Sequence, residues 1–253
     1  MRAKTDRFPP LPKGAIAFRP EYLDFERGIR VGNLEDNERI TRLLKLGLEH
    51  RFRQPFVTER WGRGVYWQWI GYLPRANREA KPFSSSVSFG CSKYFISMDT
   101  GEKLFQCGMQ VERGYLKAPR EYPGCRLRSD WDWHRLLEAL GENGPMTAEV
   151  DRLVSKEGFA VRAGSWEAES AHMGRQKSVD FDSLRHALET APARHWAGFQ
   201  IYYPMRRREV QASAGVELIE AMLAIFDEVT PAMNSCMQVQ LSHQDRPGSE
   251  AML

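Results

Sequence analysis

The sequence predicts an α+β protein: a central, mainly antiparallel sheet of about five or six strands packed by four or five helices. Strand-like runs rich in aromatic and β-branched residues cluster between residues 65 and 112, and several amphipathic helical segments follow them. Two of these runs are separated only by a short turn, which favours antiparallel pairing. The strict strand–helix alternation of a doubly wound sheet is missing.

The first element in chain order is an amphipathic helix over residues 33–50. Asn33 or Asp36 can cap its start, its leucines return at helical spacing, and Pro55 prevents its continuation. The sequence therefore predicts that this helix packs on the sheet through its leucine face.

An aromatic strand follows at residues 65–73. Alternation places Trp67 and Trp69 on one face together with Val65 and Gly71. Because large rings occupy both faces, we expect the strand to be covered on both sides.

A polar segment at 75–85 is predicted to be a loop, and shorter strands come after it. These runs lie at 85–90, 93–98 and 103–112. The turn Asp99–Glu102 joins the last two runs, and Gly101 is the residue expected to adopt a positive φ there. This hairpin is the strongest pairing signal in the chain.

The second half of the chain alternates helices with two further strands. The pattern predicts helices at 129–140, 147–157, 182–190 and 213–229, strands at 159–163 and 196–203, and a loop at 164–180. Pro204 and Pro231 are expected to end the last strand and the last helix. Apolar residues cover more than half the surface of the last helix, which predicts that it is buried against the sheet.

Composition places the chain among ordinary globular proteins. It has 253 residues, of which 42% are hydrophobic and 27% charged, and a chain of this size needs no disulfide or metal to hold a core. No repeat or composition break marks a boundary. We expect one domain over residues 1–253, with an extended Pro-rich lead-in at 1–18 and a frayed tail at about 243–253.

Cellular location and cofactors follow from what the sequence lacks. It has neither a long apolar run nor a secretory signal, so we expect a cytoplasmic protein of bacterial type that does not contact a membrane. The four cysteines lack metal-binding spacing and are expected to be reduced, buried thiols. No histidine pair has a metal-binding pattern, and no cofactor motif is present.

Positive charge is concentrated near the first aromatic strand. Residues 1–81 carry 17 Lys or Arg against 10 Asp or Glu, and residues 51–81 alone carry seven against two. Guanidinium groups bind phosphates and exposed rings stack on bases, so this region favours an anionic ligand such as a nucleic acid or nucleotide. A run of three arginines before the last helix is a second candidate anion contact. The candidate ligand-binding residues are Arg51, Arg53, Arg60, Arg63, Trp67, Trp69, Arg75, Arg78, Arg206, Arg207 and Arg208.

Two other functions stay open, and the sequence does not decide whether the protein is an enzyme. A hydrolase or nuclease would assemble a dispersed site from His134, Asp99, Glu112 or Cys91, the last with its thiol activated by nearby Lys93. A protein-interaction module would use exposed aromatic residues. No motif is specific enough to assign a family, and nothing indicates the oligomeric state.

Overall fold

The computed structural model describes residues 16–83, 89–141, 144–168, 171–173 and 178–242. It confirms an α+β architecture with a large antiparallel sheet and a C-terminal helix packed on it. The predicted size of the sheet was wrong: the described residues form nine strands and seven α-helices. The lead-in up to residue 15, residues 85–88 of the first short predicted strand and the tail from residue 243 lie outside the described residues.

Strands and helices are numbered separately in chain order. The strands are β1 (Leu23–Asp24), β2 (Gly28–Arg30), β3 (Phe56–Arg63), β4 (Tyr66–Pro74), β5 (Lys93–Asp99), β6 (Leu104–Gly114), β7 (Ala160–Ser165), β8 (Ala171–Met173) and β9 (Ala197–Arg206). The helices are α1 (Ile40–Phe52), α2 (Arg75–Glu79), α3 (Asp132–Ala139), α4 (Pro145–Ser155), α5 (Phe181–Thr190), α6 (Arg207–Ala212) and α7 (Gly215–Cys236). Short 3₁₀ turns lie at Pro20–Tyr22 and Pro123–Cys125.

All nine strands belong to one sheet in the order β1-β2-β4-β5-β6-β9-β7-β8, with β3 paired to β4. Every strand pair is antiparallel. Among the described strands, β3 pairs only with β4, so it is an edge strand. This edge carries the candidate site.

One face of the sheet packs against helices, and α7 lies at the centre of that layer. Phe226 of α7 contacts Tyr94 of β5 with ring centroids 4.7 Å apart, and the Tyr94 hydroxyl lies 2.6 Å from Thr230 Oγ1. Helices α1, α3 and α4 pack around α7. Burial of this apolar layer supplies the main driving force for folding.

Helix α7 continues through Pro231, contrary to the prediction that this proline ends it. Proline removes the N–H that would bond to the carbonyl of Asp227, but Pro231 lies on the exposed side of the helix, where water can serve that carbonyl. Thr230 and Ala232 on either side remain buried. Packing of the apolar face therefore outweighs the lost hydrogen bond.

Helix α1 begins at Ile40, seven residues later than predicted. The acidic segment before it forms turns in which Glu38 accepts a hydrogen bond from the Glu35 amide (3.0 Å) and another from the Tyr22 hydroxyl (2.7 Å). These local bonds replace the helical ones. Arg39 is the extended N-cap residue, without a side-chain cap.

The predicted hairpin is β5–β6, but its turn differs in one detail. Asp99 accepts hydrogen bonds from the amides of Gly101 (3.0 Å) and Glu102 (2.9 Å), and Lys103, not Gly101, adopts the positive φ of 55°. The aspartate side chain thus fixes the first part of the turn, and the left-handed residue is shifted to its end.

Several short elements differ from the sequence expectation. The predicted loop at 75–85 contains helix α2, the predicted loop at 164–180 contains edge strand β8, and β9 runs past Pro204. Pro204 is tolerated because at that level β9 pairs with β6 only, so its other side has no partner strand that would need an N–H donor. In the described part of the chain, no helix combines the length and the apolar character needed to span a bilayer.

Candidate anion-binding site

A cavity of about 470 Å³ lies between the first helix and the β3–β4 hairpin. It is bounded by α1 on one side, by β3 and Trp67 of β4 on the other, and by the segment after β2 at its end. Its polar lining residues are Arg39, Thr41, Arg42, Lys45, Thr58 and Arg60, and Val31, Gly32, Gly64 and Trp67 complete it. Among these lining residues there is no Asp or Glu.

Helix α1 places three cations along one side of the cavity. Arg39, Arg42 and Lys45 are each three residues apart, a spacing that stacks side chains on one helix face. Because the leucines of α1 face the sheet, this stripe lies at the border between core and solvent. The helix therefore presents a row of positive charge to the hairpin.

The cations differ in how far neighbouring acids neutralise them. Arg39 pairs with exposed Asp36 at 3.2 Å, and Lys45 lies 3.7 Å from Glu49. Arg42 has no ion pair or hydrogen bond to its side chain among the described residues, and it is exposed. The cavity thus retains excess positive charge, centred on Arg42 and on Arg60 of the facing strand.

Arg60 is positioned by an aromatic ring. Its guanidinium carbon lies 4.3 Å from the centroid of the Trp67 ring, a cation–π contact that holds the planar fork at the cavity wall. The Trp67 indole N–H donates in turn to the carbonyl of Gly64 (3.2 Å), which fixes the ring. An arginine held in this way loses little freedom when its fork binds an anion.

A β-bulge in β4 places Trp67 at the cavity. Trp61 pairs with Trp69 but the next residue, Gly62, pairs with Trp67, so Gln68 is an extra residue in β4. The bulge interrupts the alternation that would have put Trp67 and Trp69 on the same face. Trp67 therefore lies beside Arg60, whereas Trp69 lies on the opposite, helix-free face of the sheet.

The structure scatters the other predicted ligand-binding residues. Of the predicted set, only Arg60 and Trp67 line the cavity. Arg51 bonds to Asp227 and to the Leu223 carbonyl of α7.

Several further candidates lie at the ends of elements and do not line the cavity. Arg63 ends β3 and Arg75 begins α2, both exposed, while Arg53 and Arg78 are half-buried and already hold partners. The second predicted anion contact is an exposed run that ends β9 and begins α6, Arg206, Arg207 and Arg208. Arg207 pairs with Glu26 at 2.7 Å, and neither residue lines the cavity.

The helix-free face carries a buried ionic group instead of a cationic surface. Lys93, with no exposed side-chain surface, donates to Glu59 and Glu112, both at 2.7 Å. Burial alone lowers the pKa of Lys93, but the two carboxylates outweigh it, and its pKa is raised. Trp69 and Trp196 pack beside this group through contacts to Lys93 and Glu112.

The residues expected to form a dispersed catalytic site do not come together. Asp99 and Glu112 lie at opposite ends of the β5–β6 hairpin, roughly 25 Å apart. His134 is exposed on α3, with its Nε2 atom 3.0 Å from the Arg128 carbonyl oxygen. Burial raises the pKa of the Cys91 thiol to about 12, so nearby Lys93 does not activate it.

Metal binding has no support in the part of the chain that the structure describes, where no three His, Cys, Asp or Glu residues form a group that could hold an ion. All four cysteines are free and buried. The cationic cavity is therefore the strongest candidate site.

No protein-family model matches this chain, and no curated protein is detectably similar to it. The site must be interpreted from its own geometry.

Sequence reasoning missed three of the four cavity cations. Arg39, Arg42 and Lys45 lie in the segment predicted to be helical, and their three-residue spacing is a signal that they share a face. That signal is weaker than the charge excess at residues 51–81, on which the predicted site depends. The combination of a cationic helix face with an Arg–Trp strand becomes visible only once β3 and β4 are placed beside α1.

Proposed function

We propose that this protein binds an anionic, phosphate-bearing ligand of the nucleotide or nucleic-acid class in the cavity between α1 and the β3–β4 hairpin. The observation that carries the proposal is the lining itself: four cations and two threonine hydroxyls surround about 470 Å³, without an acid among the lining residues. Cavities of roughly 300–1,000 Å³ hold small ligands or parts of larger ones.

The chemistry of the lining suits phosphate oxygens. Arg60 presents a preorganised fork, and Arg42 opposes it from the helix without an acidic partner in the described chain. Guanidinium groups bind phosphate oxygens in pairs, and hydroxyls such as those of Thr41 and Thr58 add further donors. Gathering like charges around a space is unfavourable unless a counter-charge fills it, which also favours an anion.

The proposal includes a cytoplasmic location. The four unpaired, buried thiols support it, because disulfides rarely form in a reducing compartment.

The test is a binding titration with cavity variants. A fluorescent adenine nucleotide and a labelled oligodeoxythymidylate of about 15 nucleotides are titrated with protein in about 20 mM salt. We expect at least one probe to bind, and the double variant Arg42→Gln/Arg60→Gln to weaken its binding at least about tenfold, because two charged contacts are lost.

The matched control removes two arginines outside the cavity, Arg75→Gln/Arg208→Gln, and keeps the net charge equal to that of the cavity variant. We expect it to bind within about twofold of the natural protein, since screening limits the effect of distant surface charges. Equal losses in both double variants, or no binding of either probe at low salt, would contradict the proposal.

A further inference from the structure

A second feature of the hairpin lies directly beside the cavity. Trp61 is 75% exposed, more than any other large hydrophobic side chain among the described residues. It follows Arg60, and exposed Arg63 comes two residues later. An exposed indole offers a flat apolar face on which another ring can stack.

The edge position of β3 connects this ring to the cavity. Consecutive side chains of a strand point to opposite faces, so Arg60 faces the cavity and Trp61 faces the helix-free side. No described strand lies beyond β3, so its outer edge is open. At this edge, the two faces of the sheet are separated only by the thickness of β3. A ligand that crosses this free edge can therefore contact both residues.

Positive charge continues along the same end of the sheet. Arg63 ends β3 and pairs with Tyr66 of β4. The guanidinium carbon of Arg27 lies 4.3 Å from the centroid of the Tyr66 ring. Asp24 pairs with Arg27 at 2.5 Å and so offsets its charge, whereas Glu59 bonds to buried Lys93. A polyanion leaving the cavity over the hairpin thus meets exposed Arg63 and the ring of Trp61.

Resting on the proposed function, we propose that the ligand is single-stranded nucleic acid, with a phosphate in the cavity and a base stacked on Trp61. Stacking platforms beside basic grooves are the features by which proteins hold unpaired strands. A duplex hides the faces of its bases, and a mononucleotide in the cavity would leave Trp61 in water. A polyanion without rings would use the arginines but not the indole.

The test compares probes and ring variants. We expect the labelled oligodeoxythymidylate to bind more tightly than the fluorescent mononucleotide and more tightly than a duplex of equal length. Trp61→Ala should weaken oligonucleotide binding at least about fivefold and leave mononucleotide binding unchanged, while Trp61→Phe keeps most of the affinity because it keeps a ring.

The control is Tyr122→Ala, which removes a ring that is 61% exposed on a loop elsewhere. It should not change oligonucleotide affinity. If Trp61→Ala binds the oligonucleotide like the natural protein, or the duplex binds as tightly as the single strand, the inference is wrong. Mononucleotide binding that still depends on Arg42 and Arg60 would then leave the proposed function standing, whereas absence of all binding would end both.

Discussion

Lys81 and Asp132 form a salt bridge of 2.5 Å in which neither side chain has any exposed surface. Asp132 also accepts from the Asn77 amide (2.8 Å) and from the Ser92 backbone N–H (2.6 Å). Asn77 in turn accepts from backbone amides of the segment after α7, of which Gln238 is the closer at 3.0 Å. One buried carboxylate thus joins α2, α3 and the C-terminal segment.

Removing the cation of this pair is expected to be strongly destabilising. Lys81→Met leaves a buried carboxylate without its counter-charge, which costs about 3–5 kcal/mol of unfolding free energy. The measurement is urea unfolding followed by circular dichroism. Lys103→Met, which breaks an exposed pair with Glu26, is the control and should change stability by less than about 1 kcal/mol. Similar losses in both variants would show that the buried pair has no special role.

Residue identities predict the chemistry of these side chains but not their burial. The basic stretch at 51–81 includes Lys81, and Lys93 enters the sequence argument only as a neighbour of Cys91. Both lysines are fully buried because their acidic partners come from distant parts of the chain, Asp132 for Lys81 and Glu112 for Lys93. No short-range sequence pattern indicates such pairs, so a count of Lys and Arg residues overestimates the number of cations at the surface.

At the scale of elements, the bulge in β4 decides which aromatic ring faces the cavity. It depends on Gly62, whose φ of 147° lies in a region that L-residues rarely adopt. A Cβ at Gly62 would lie 2.5 Å from the Trp67 Cα, so the partner strand leaves no room for a side chain. The glycine is required at this position by both conformation and space.

Gly62→Ala should therefore lower the unfolding free energy by about 2 kcal/mol or more, since it adds a backbone clash to the conformational strain. Gly64→Ala is the matched variant. Gly64 also has a positive φ, of 65°, but nothing lies within 4 Å of the place that a methyl group would occupy, so only the conformational cost of about 1 kcal/mol is expected. Urea unfolding of the two variants gives the comparison. A smaller loss for Gly62→Ala than for Gly64→Ala would contradict this account of the bulge.

The elements that could be predicted were the long ones with a strong hydrophobic period, such as α7 and the β5–β6 hairpin. The elements that were missed are short or lie at edges: β1, β2, β8 and most importantly β3. The sequence of β3, FVTERWGR, lacks a regular alternation of apolar and polar residues, and only Phe56 is buried, because one edge and part of both faces meet solvent. Its strand character comes from pairing with β4 rather than from local propensity.

At the scale of the whole molecule, buried thiols and phenols make the unfolding free energy depend on pH in the alkaline range. Burial raises the pKa of Cys91 and of Cys236 to about 12, and it also raises the pKa of Cys107 and Tyr94. In the unfolded chain a thiol has a pKa of about 8.5. Above that pH the unfolded state loses protons that the folded state retains. Each buried thiol therefore makes its full contribution to the unfolding free energy below that pH, and this contribution is lost as the pH rises toward the folded-state pKa.

We expect the unfolding free energy to be constant up to about pH 8 and to fall between about pH 9 and 11, by up to about 1.4 kcal/mol per pH unit for each such thiol. Urea unfolding in the presence of a reductant measures this. Cys236→Ala should be less stable at about pH 8 but show a shallower decline, because one titrating group has been removed. A profile that stays level to about pH 10 would contradict the expected burial of these groups.

The α+β class and the antiparallel sheet could be predicted at this scale because they depend on the sum of many local signals. The site could not. Arg60 and Trp67 were among the predicted residues, but the cavity exists only because α1 lies against an edge strand that the sequence did not reveal. The function and the single-domain organisation stay predictions.

The central position of α7 has a consequence for how the chain is made. Its contacts include β6 and the helices α1, α3 and α4, yet it follows every strand in chain order. While a ribosome is still synthesising residues 215–236, Tyr94 and its apolar neighbours lack the part of their cover that Phe226 and Thr230 of α7 provide. The protein therefore completes this part of its core only after residue 236 has been synthesised, and a chain interrupted before α7 would be a substrate for chaperones and proteases.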